Sequence, residues 1–456
     1  MVFEQFYLGC LAHASYLIGS DGVAAVVDPQ RDVDLYLKTA AELGLRIEHI
    51  IETHLHADFV SGHQELAEKT GGTIYIGEGS GATFPHRAVR DGDSISVGRC
   101  RLDFLQTPGH TLESVSIVVT DLEQSPDPVA VLTGDTLFIG DVGRPDLAEN
   151  HTPEELAGLL YDSLHTKLLT LPDSALVYPA HGAGSMCGRN ISTDRSSTIG
   201  RERASNYALQ PMPRERFIEI TTQDLPPRPE YFRQDVDANR HGAPALGSLP
   251  PLAALAPDEA LRRQQQGVTI LDTRAATTYA SGHVPGSVQI GLGGQFASSA
   301  GSLIGLNKDL ILVAEDESAV EEARLRLARV GIERVQGYLN LADWAQAGLP
   351  LVAMQQITVQ DLRQHLADFC VVDVRRQPEW DQGHIDGAQL LPLDSLRERA
   401  SSLDRDRHIA VHCKGGYRSV IAYSLLEGAG FPNIVNVLGG YDAWVGSGGR
   451  AAVQGR

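Results

Sequence analysis

The stretch HLHADFVSGH, from His54 to His63, follows the apolar run IEHIIET (47–53) and places two histidines and an aspartate within five residues. Such a cluster at the end of a predicted β-strand is typical of metal sites, because imidazole and carboxylate groups are common metal ligands. The familiar form of this run is H-x-H-x-D-H, but the residue after Asp58 is Phe59, which has no donor atom. The sequence therefore predicts a metal site that lacks one customary ligand.

Three later segments carry further candidate ligands after apolar runs. They are TPGHT with His110, LTGDT with Asp135 and YPAHGAG with His181. Helical spacing in DVDLYLKTAAELG, near 61–70 and over 153–169 alternates with these short strands, which indicates a mixed α/β domain. Side chains that follow neighbouring strands are expected to converge at one edge of the sheets.

This ordered set resembles the metallo-β-lactamase superfamily, an αββα sandwich that holds metal between its sheets, over about residues 1–240. The stretches THLHAD, TPGHT, TGDTLF, GDVGRPD and YPAHGAG are most similar to the persulfide dioxygenases of that superfamily. The resemblance implies one Fe(II) per chain, with His54, His110 and Asp135 as its ligands. The fold alone does not decide the reaction, because the same sandwich carries hydrolases and oxygenases.

The alternative is a two-zinc thioesterase of the glyoxalase II type, whose second metal would need Asp58, the residue after it and His181. Phe59 cannot supply that ligand, and His63 belongs to the first turn of the next predicted helix. One metal held by two histidines and one carboxylate is the arrangement of non-heme iron oxygenases. His56, Asp58 and His181 would then orient the ligands and hydrogen-bond the substrate or oxygen.

Two further residues of this domain are candidates for the site. Arg144 in GDVGRPD follows Asp135 by nine residues, and the family's matching segment favours a role facing the substrate over a surface ion pair. Cys187 in HGAGSMCG follows His181 by six residues and is a possible functional thiol near the mouth of the site. Most lone cysteines are small buried hydrophobic residues.

The second half of the chain repeats itself after a proline-rich linker, HGAPALGSLPPLAAL (241–255). Asp373 follows Asp272 and His384 follows His283 by 101 residues, and Trp444 follows Trp344 by 100. A constant offset over separate landmarks indicates two copies of one domain, each with the pattern of a small parallel α/β sheet. We predict three domains, at 1–245, 256–350 and 355–456.

The second copy contains a candidate nucleophile in IAVHCKGGYRSVIAYSLLEGAG (409–430). Cys413 follows a β-run and precedes a glycine-rich turn and a helix, whose free N–H groups favour the thiolate. Lys414 and Arg418 add positive charge, and Gly415, Gly416 and Tyr417 are expected to bind substrate. The spacing C-x4-R is narrower than the C-x5-R of phosphatase-like loops, which indicates an anion-accepting thiol of another class.

Together with VVDVR, GHIDGA and GGYDAW, this loop makes residues 355–456 resemble an active rhodanese, a sulfurtransferase that carries sulfane sulfur as a cysteine persulfide. The first copy keeps LDTR, GHVPGS and GYLNLADW but places Ala314 and Ala319 opposite Cys413 and Arg418. It therefore resembles an inactive rhodanese, with a scaffold or docking role.

Charge and composition limit the partners. With 38 Lys plus Arg against 58 Asp plus Glu, the net charge is -20, which argues against nucleic acid and anionic membranes. No apolar run approaches a membrane span, the N-terminus has no basic flank, and the five cysteines form no CxxC pair. We expect a cytoplasmic protein and a homo-oligomer.

The three domains together resemble bacterial persulfide dioxygenase–sulfurtransferase fusions. The resemblance implies that a small-molecule persulfide and O2 give sulfite, and that Cys413 forms or uses thiosulfate. Three matters stay open: which thiol carries the persulfide, in which direction sulfur passes, and what the inactive copy does. A sulfur-relay or redox-sensing module that uses Cys413 only as a carrier is a third, non-catalytic hypothesis.

Overall fold

The computed structural model describes residues 1–225, 227–449 and 451–452. The chain divides into two compact units, one of Met1–Leu249 with Leu327–Gly331 and one of Pro250–Arg326 with the residues from Ile332 onward. The three predicted domain boundaries stay predictions. Residue 226 of the predicted first domain, and residues 450 and 453–456 of the third, lie outside the described residues.

The first unit contains two six-stranded sheets. The first sheet runs in chain order through β1 (Val2–Leu8), β2 (His13–Ser20), β3 (Val23–Val27), β4 (Arg46–Ile51), β5 (Thr73–Gly77) and β6 (Arg87–Val89). The second contains β7 (Ser94–Val97), β8 (Cys100–Gln106), β9 (Val115–Asp121), β10 (Ala130–Gly134), β11 (Leu176–Pro179) and β12 (Ser197–Thr198). Pairs β3–β4, β4–β5, β5–β6 and β10–β11 are parallel, and the others are antiparallel.

Helices cover the outer faces of both sheets. They are α1 (Asp34–Glu42), α2 (His63–Thr70), α3 (Pro153–Thr166), α4 (Ile199–Ser205), α5 (Arg214–Thr222) and α6 (Tyr231–His241). Strand β2 shows why four layers form: Tyr16 and Ile18 join the core between the sheets, while Leu17 joins the core under α1. Successive side chains of a strand point to opposite faces, so an apolar strand needs cover on both. The predicted αββα arrangement is confirmed.

The second unit contains two parallel sheets. The first has β13 (Thr269–Asp272), β14 (Val288–Gln289), β15 (Leu310–Val313) and β16 (Val335–Tyr338), in the order β14-β13-β15-β16. The second has β17 (Gln356–Ile357), β18 (Phe369–Asp373), β20 (Gln389–Leu390), β21 (His408–His412) and β22 (Ile434–Val437), in the order β17-β22-β21-β18-β20. A separate antiparallel pair consists of β19 (His384–Ile385) and β23 (Ala451–Ala452). The helices are α7 (Pro257–Gln265), α8 (Ala276–Ser281), α9 (Phe296–Ile304), α10 (Glu317–Ala328), α11 (Leu341–Gln346), α12 (Val359–Gln364), α13 (Gln377–Asp381), α14 (Leu396–Arg399), α15 (Tyr417–Gly428) and α16 (Gly440–Gly446).

The predicted repeat appears as equivalent contacts in the two copies. Arg274 binds Asp272 and Arg375 binds Asp373, each with a shortest N–O distance of 2.6 Å. The His283 ring stacks on Tyr279 at 3.8 Å, and the His384 ring stacks on Trp380 at 3.6 Å. Because the same motif makes the same contact twice, the offset in sequence reflects a duplicated fold. Among the described residues, no helix has the length and apolar character needed to cross a membrane.

Candidate metal centre and thiol site

Three strand-end loops of the first unit bring the predicted metal ligands together. His54 follows β4, His110 follows β8 and Asp135 follows β10, and all three are buried. One ligand atom from each lies within 4.8 Å of the others. The Nε2 atoms of His54 and His110 are 3.8 and 3.4 Å from Asp135 Oδ2. The site thus offers two imidazole nitrogens and one carboxylate oxygen in a single cluster.

Hydrogen bonds orient both histidines for metal binding. Thr53 Oγ1 donates to Asp28 Oδ2 at 2.9 Å, so it accepts from His54 Nδ1, also at 2.9 Å. His110 Nδ1 donates to the Arg144 carbonyl at 3.0 Å. Outer partners of this kind fix the tautomer that leaves Nε2 free for a metal.

The electrostatics of the cluster favour a cation. Burial lowers the pKa of His54 and of His110, which keeps both rings neutral. Their Nε2 lone pairs then face the Asp135 carboxylate, an arrangement that is repulsive unless positive charge lies between. Burial alone would raise the pKa of Asp135, but the surrounding histidines, His181 foremost, hold it well below its usual value. A metal ion therefore fits this donor set.

A second cluster consists of His56, Asp58 and His181, whose ligand atoms also lie within 4.8 Å of one another. His181 connects the clusters, because Nδ1 is 2.8 Å from Asp135 Oδ1 and Nε2 is 3.0 Å from Asp58 Oδ2. His56 Nε2 lies 3.2 Å from Asp28 Oδ1 and 3.5 Å from Glu52 Oε2. Among the clusters of described residues, His56 groups with Asp58 and His181 and not with His54 and His110.

Phe59 fills the place beside the second cluster with an apolar ring. It is fully buried, and its centroid lies 4.4 Å from that of His56 and 4.2 Å from that of His13. His63, at the start of α2, has Nδ1 3.3 Å from Glu52 Oε1 and belongs to neither cluster. The second cluster therefore has three potential ligands, His56, Asp58 and His181. It lacks the ligand that the two-zinc hypothesis places directly after Asp58.

The Arg144 side chain forms a buried ion pair. Its Nε and Nη2 atoms donate to the two oxygens of Asp146 at 2.7 and 2.9 Å. The main chain of Arg144 is what meets the metal site, since its carbonyl holds His110. Gly143 permits this approach, because a Cβ there would collide with the Asp135 carbonyl and stand 2.9 Å from His110 Nδ1. The predicted substrate contact of Arg144 stays a prediction.

Cys187 lies deeper than the mouth of the site. Its residue is 1% exposed, and a ligand atom from each of Cys187, Asp135 and His181 lies within 4.8 Å of the others. Burial, followed by the charges of Asp58 and Asp135, raises the pKa of the Cys187 thiol well above its usual value. The thiol is therefore neutral and forms part of the wall of the cluster.

The Cys413 loop has the predicted strand–turn–helix setting. Cys413 follows β21, and the Gly416 N–H donates to its Sγ at 3.1 Å. The start of α16 holds the loop carbonyls, since Tyr441 N–H donates to Cys413 O at 2.8 Å and Asp442 N–H to Lys414 O at 3.0 Å. Because α16 binds these two carbonyls, they point away from the sulfur. The turn presents the Gly416 N–H to Sγ, which suits an anionic adduct.

The other predicted residues of this loop have distinct positions. Lys414 and Gly415 are exposed. The Tyr417 hydroxyl donates to the Gly291 carbonyl of the first repeat at 3.1 Å. Arg418 donates from both Nη atoms to Glu379, at 2.6 and 2.7 Å. Arg418 thus fixes the end of the loop to α13, and the substrate-binding roles of these residues stay predictions.

We expect Glu379→Gln to destabilise the second unit in a pH-dependent way. Burial raises the pKa of Glu379, but the N–H donors of Arg418 and Arg376 outweigh it and hold the pKa below the usual value. A depressed carboxyl pKa stabilises the fold above about pH 4.3, the unfolded value, and that stabilisation is lost as pH falls through the folded value. The variant should lose about 1 kcal/mol at pH 7 and progressively less in acid.

Urea unfolding at pH 7 and in mild acid measures this difference, with exposed Glu398→Gln as the matched control. A destabilisation that is independent of pH would contradict an ionic role for the pair.

Comparisons with known proteins identify the domains that contain these residues. Protein-family models match residues 8–181 to the metallo-beta-lactamase superfamily, and residues 256–342 and 358–447 each to a rhodanese-like domain. The Bos taurus protein named persulfide dioxygenase ETHE1, mitochondrial, is 33% identical over 233 residues, which are 49% of this chain and 82% of that protein. The chain belongs to the metallo-beta-lactamase superfamily and is a homologue of ETHE1.

A crystal structure of a metallo-beta-lactamase from Staphylococcus aureus subsp. aureus COL is 32% identical and has a TM-score of 0.67, covering 74% of this chain and 98% of that one. A hydroxyacylglutathione hydrolase from Rhodospirillum rubrum is 34% identical over 162 residues, 35% of this chain and 57% of that protein. These relatives support an enzyme with a metal in its first domain, and the family-model matches confirm the predicted fusion with two rhodanese-like domains. The identity of the metal and the coupling of persulfide oxidation to sulfur transfer are proposals.

Sequence analysis missed two parts of the ETHE1-like site. His13, at the start of β2, is buried with its ring 5.5 Å from that of His181, and neither ring nitrogen has a hydrogen-bond partner in the described part of the chain. A lone histidine within LAHASY was the only signal. Helix α6 was the second part: the Asn239 side-chain amide donates to the carbonyls of His56 and Phe59, each at 2.8 Å.

Proposed function

We propose that the first domain oxidises a low-molecular-weight persulfide with dioxygen and water: R–S–SH + O2 + H2O gives R–SH + SO3²⁻ + 2 H⁺. The observation that carries this proposal is the cluster of His54, His110 and Asp135, with both Nε2 atoms facing the carboxylate. Two histidines and one carboxylate leave open coordination positions and are the donor set of non-heme Fe(II) oxygenases. The likeness to ETHE1 supports the same substrate class.

Different residues of the first domain would hold the metal, orient its ligands and bind the substrate. A bound ferrous ion, one per chain, would supply the electron exchange with dioxygen that zinc lacks. His54, His110 and Asp135 would hold it, and Thr53 and the Arg144 carbonyl keep both rings in the ligating tautomer. His56, Asp58 and His181 line the adjoining space, where their polar atoms orient the ligands and hydrogen-bond the substrate.

We propose that Cys413 is the nucleophile of the second activity. It accepts sulfane sulfur, as Cys–S⁻ + R–S–SH gives Cys–S–SH + R–S⁻. The deprotonated carrier then passes that sulfur on, as Cys–S–S⁻ + SO3²⁻ gives Cys–S⁻ + S2O3²⁻. The Gly416 N–H at Sγ supports this role, because it stabilises the Cys413 thiolate, which attacks in the first transfer and leaves in the second. Ala314 follows β15 at the matching place of the first repeat, so that repeat lacks the nucleophile.

A zinc thioesterase is the second candidate. The cluster of His56, Asp58 and His181 favours it, since its ligand atoms are close enough to hold another metal. The resemblance to a hydroxyacylglutathione hydrolase adds support. The buried Phe59 ring weighs against it, because it removes one donor from that second metal.

Metal analysis distinguishes the two. We expect protein purified without oxygen to contain about one iron per chain, and glutathione persulfide to start oxygen uptake with sulfite as product. Anaerobic chelation should abolish uptake, and Fe(II) but not Zn(II) should restore it. Two zincs per chain, with thioester hydrolysis and no oxygen uptake, would establish the thioesterase instead.

A further inference from the structure

Tyr231 opens α6 and is buried in the first unit with 1% exposure. Its hydroxyl has no hydrogen-bond partner within the described ranges. A buried phenol normally finds such a partner, because leaving the O–H unpaired loses its hydration without compensation. Packing of the aromatic ring therefore does not explain why this position carries a hydroxyl group.

Helix α6, which begins at Tyr231, is bonded to the metal-binding loop. Tyr231, Asp235 and Asn239 are buried polar residues at spacings of four, so they lie on one face of α6. Asn239 fixes the far end of that face, because its amide binds the carbonyls of His56 and Phe59 and its Oδ1 accepts from Ser61 N–H at 2.8 Å. The helix that carries Tyr231 is thus attached by hydrogen bonds to the loop that carries His56.

Two neighbours of the phenol, Asp58 and Cys187, belong to the site. Burial raises the pKa of Tyr231 well above its usual value, and the charges of Asp58 and Asp235 raise it further. The group is therefore a neutral O–H donor. Asp58 Oδ1 also has no hydrogen-bond partner among the residues described, so the phenol and this oxygen are not bonded to each other. Both polar atoms remain available to a molecule at the metal centre.

We propose that the Tyr231 hydroxyl donates a hydrogen bond to the terminal sulfur of the persulfide anion when substrate binds beside His54, His110 and Asp135. This inference rests on the proposed function for the identity of the anion. The buried Cys187 thiol and the Phe59 ring line the same region, which excludes water and suits a soft sulfur anion. Tyr231 is thereby a substrate-binding residue of the dioxygenase site.

Tyr231→Phe separates this role from a structural one, because it removes only the hydroxyl. Deleting an unpaired buried O–H should leave the thermal midpoint of unfolding unchanged or slightly higher. In the iron-loaded full-length protein, kcat/KM for oxygen uptake with glutathione persulfide should fall roughly ten- to a hundredfold, the worth of one hydrogen bond to an anion. Iron content should equal that of the wild type.

A binding measurement gives a readout besides activity. Hydrosulfide is titrated anaerobically into Co(II)-substituted protein, and the visible absorption band reports binding; its Kd should weaken about tenfold in Tyr231→Phe. The control is Tyr161→Phe on α3, whose hydroxyl donates to the Met212 carbonyl at 3.1 Å, and both its kinetics and its hydrosulfide affinity should match the wild type.

The proposal is overturned if Tyr231→Phe binds hydrosulfide as tightly as the wild type. It is also overturned if the variant has a lower thermal midpoint and an unchanged kcat/KM, because the hydroxyl would then have a structural role. If the wild type takes up no oxygen with persulfide, the proposed function fails, and hydrosulfide binding still decides whether Tyr231 faces an anion at the metal.

Discussion

Replacing His54 by Ala is expected to abolish persulfide-dependent oxygen uptake and to leave the protein without bound iron. The imidazole Nε2 of His54 is one of three donors in the cluster. Among the described His, Cys, Asp and Glu residues, His54 alone forms such a cluster with both His110 and Asp135. Outer residues of metal sites already cost about 10- to 100-fold when they are removed. Loss of a ligand should exceed that range, so we expect a decrease of more than about a hundredfold.

His56→Ala is the informative comparison. Under the single-iron proposal His56 is an outer residue, so its removal should keep iron bound and reduce kcat/KM by about 10- to 100-fold. Under the two-zinc alternative both histidines are direct ligands, and both variants should lose metal alike. His49→Ala on β4 controls for the loss of an imidazole, because this half-buried ring contacts the Tyr75 hydroxyl and belongs to neither cluster. Iron retained by His54→Ala would show that the ligand set is wrong.

The metal cluster was predictable because its residues follow local patterns. Each predicted ligand lies in a loop that follows a strand, after β4, β8 or β10, and the three loops come together at the cluster. The alternation that places Tyr16 and Leu17 on opposite sides of β2 is equally local. The repeat was visible because its landmarks keep their spacing. Patterns of period and offset are carried by the chain itself, without knowledge of tertiary contacts.

The rest of the site depends on contacts between distant segments, which no local pattern records. The guanidinium of Arg144 binds Asp146 and its carbonyl accepts from His110, two contacts that the sequence did not indicate. Asn239 binds the metal loop from a helix whose sequence looks polar and surface-like, because its buried residues include an amide, a carboxylate and a phenol. Hydrophobic periodicity cannot detect a buried polar face. Only the folded chain shows which surface that face covers.

Cys413→Ser is expected to stop sulfur transfer and to change the product of persulfide oxidation from thiosulfate to sulfite. A serine hydroxyl cannot form a persulfide, while its similar size preserves the turn in which Gly416 N–H and Ser419 contact the side chain. The initial rate of oxygen uptake should stay near the wild-type value, since Cys413 belongs to the second unit and the metal cluster to the first. The total oxygen consumed per persulfide should rise, because sulfite no longer takes sulfur from further persulfide. Chromatographic separation of sulfite and thiosulfate after anaerobic quenching measures the change.

Two features make that experiment decide the direction of sulfur flow. Cys370→Ser, on β18 of the same domain, is the matched thiol control and should form thiosulfate at the wild-type rate. A reaction without protein corrects for thiosulfate that sulfite and persulfide form unaided. If the rhodanese-like domain instead drew sulfur from thiosulfate to supply the dioxygenase, Cys413→Ser would leave the products of added persulfide unchanged and would lose oxygen uptake driven by thiosulfate plus thiol. Unchanged thiosulfate formation from persulfide therefore contradicts the proposed order and supports the reverse one.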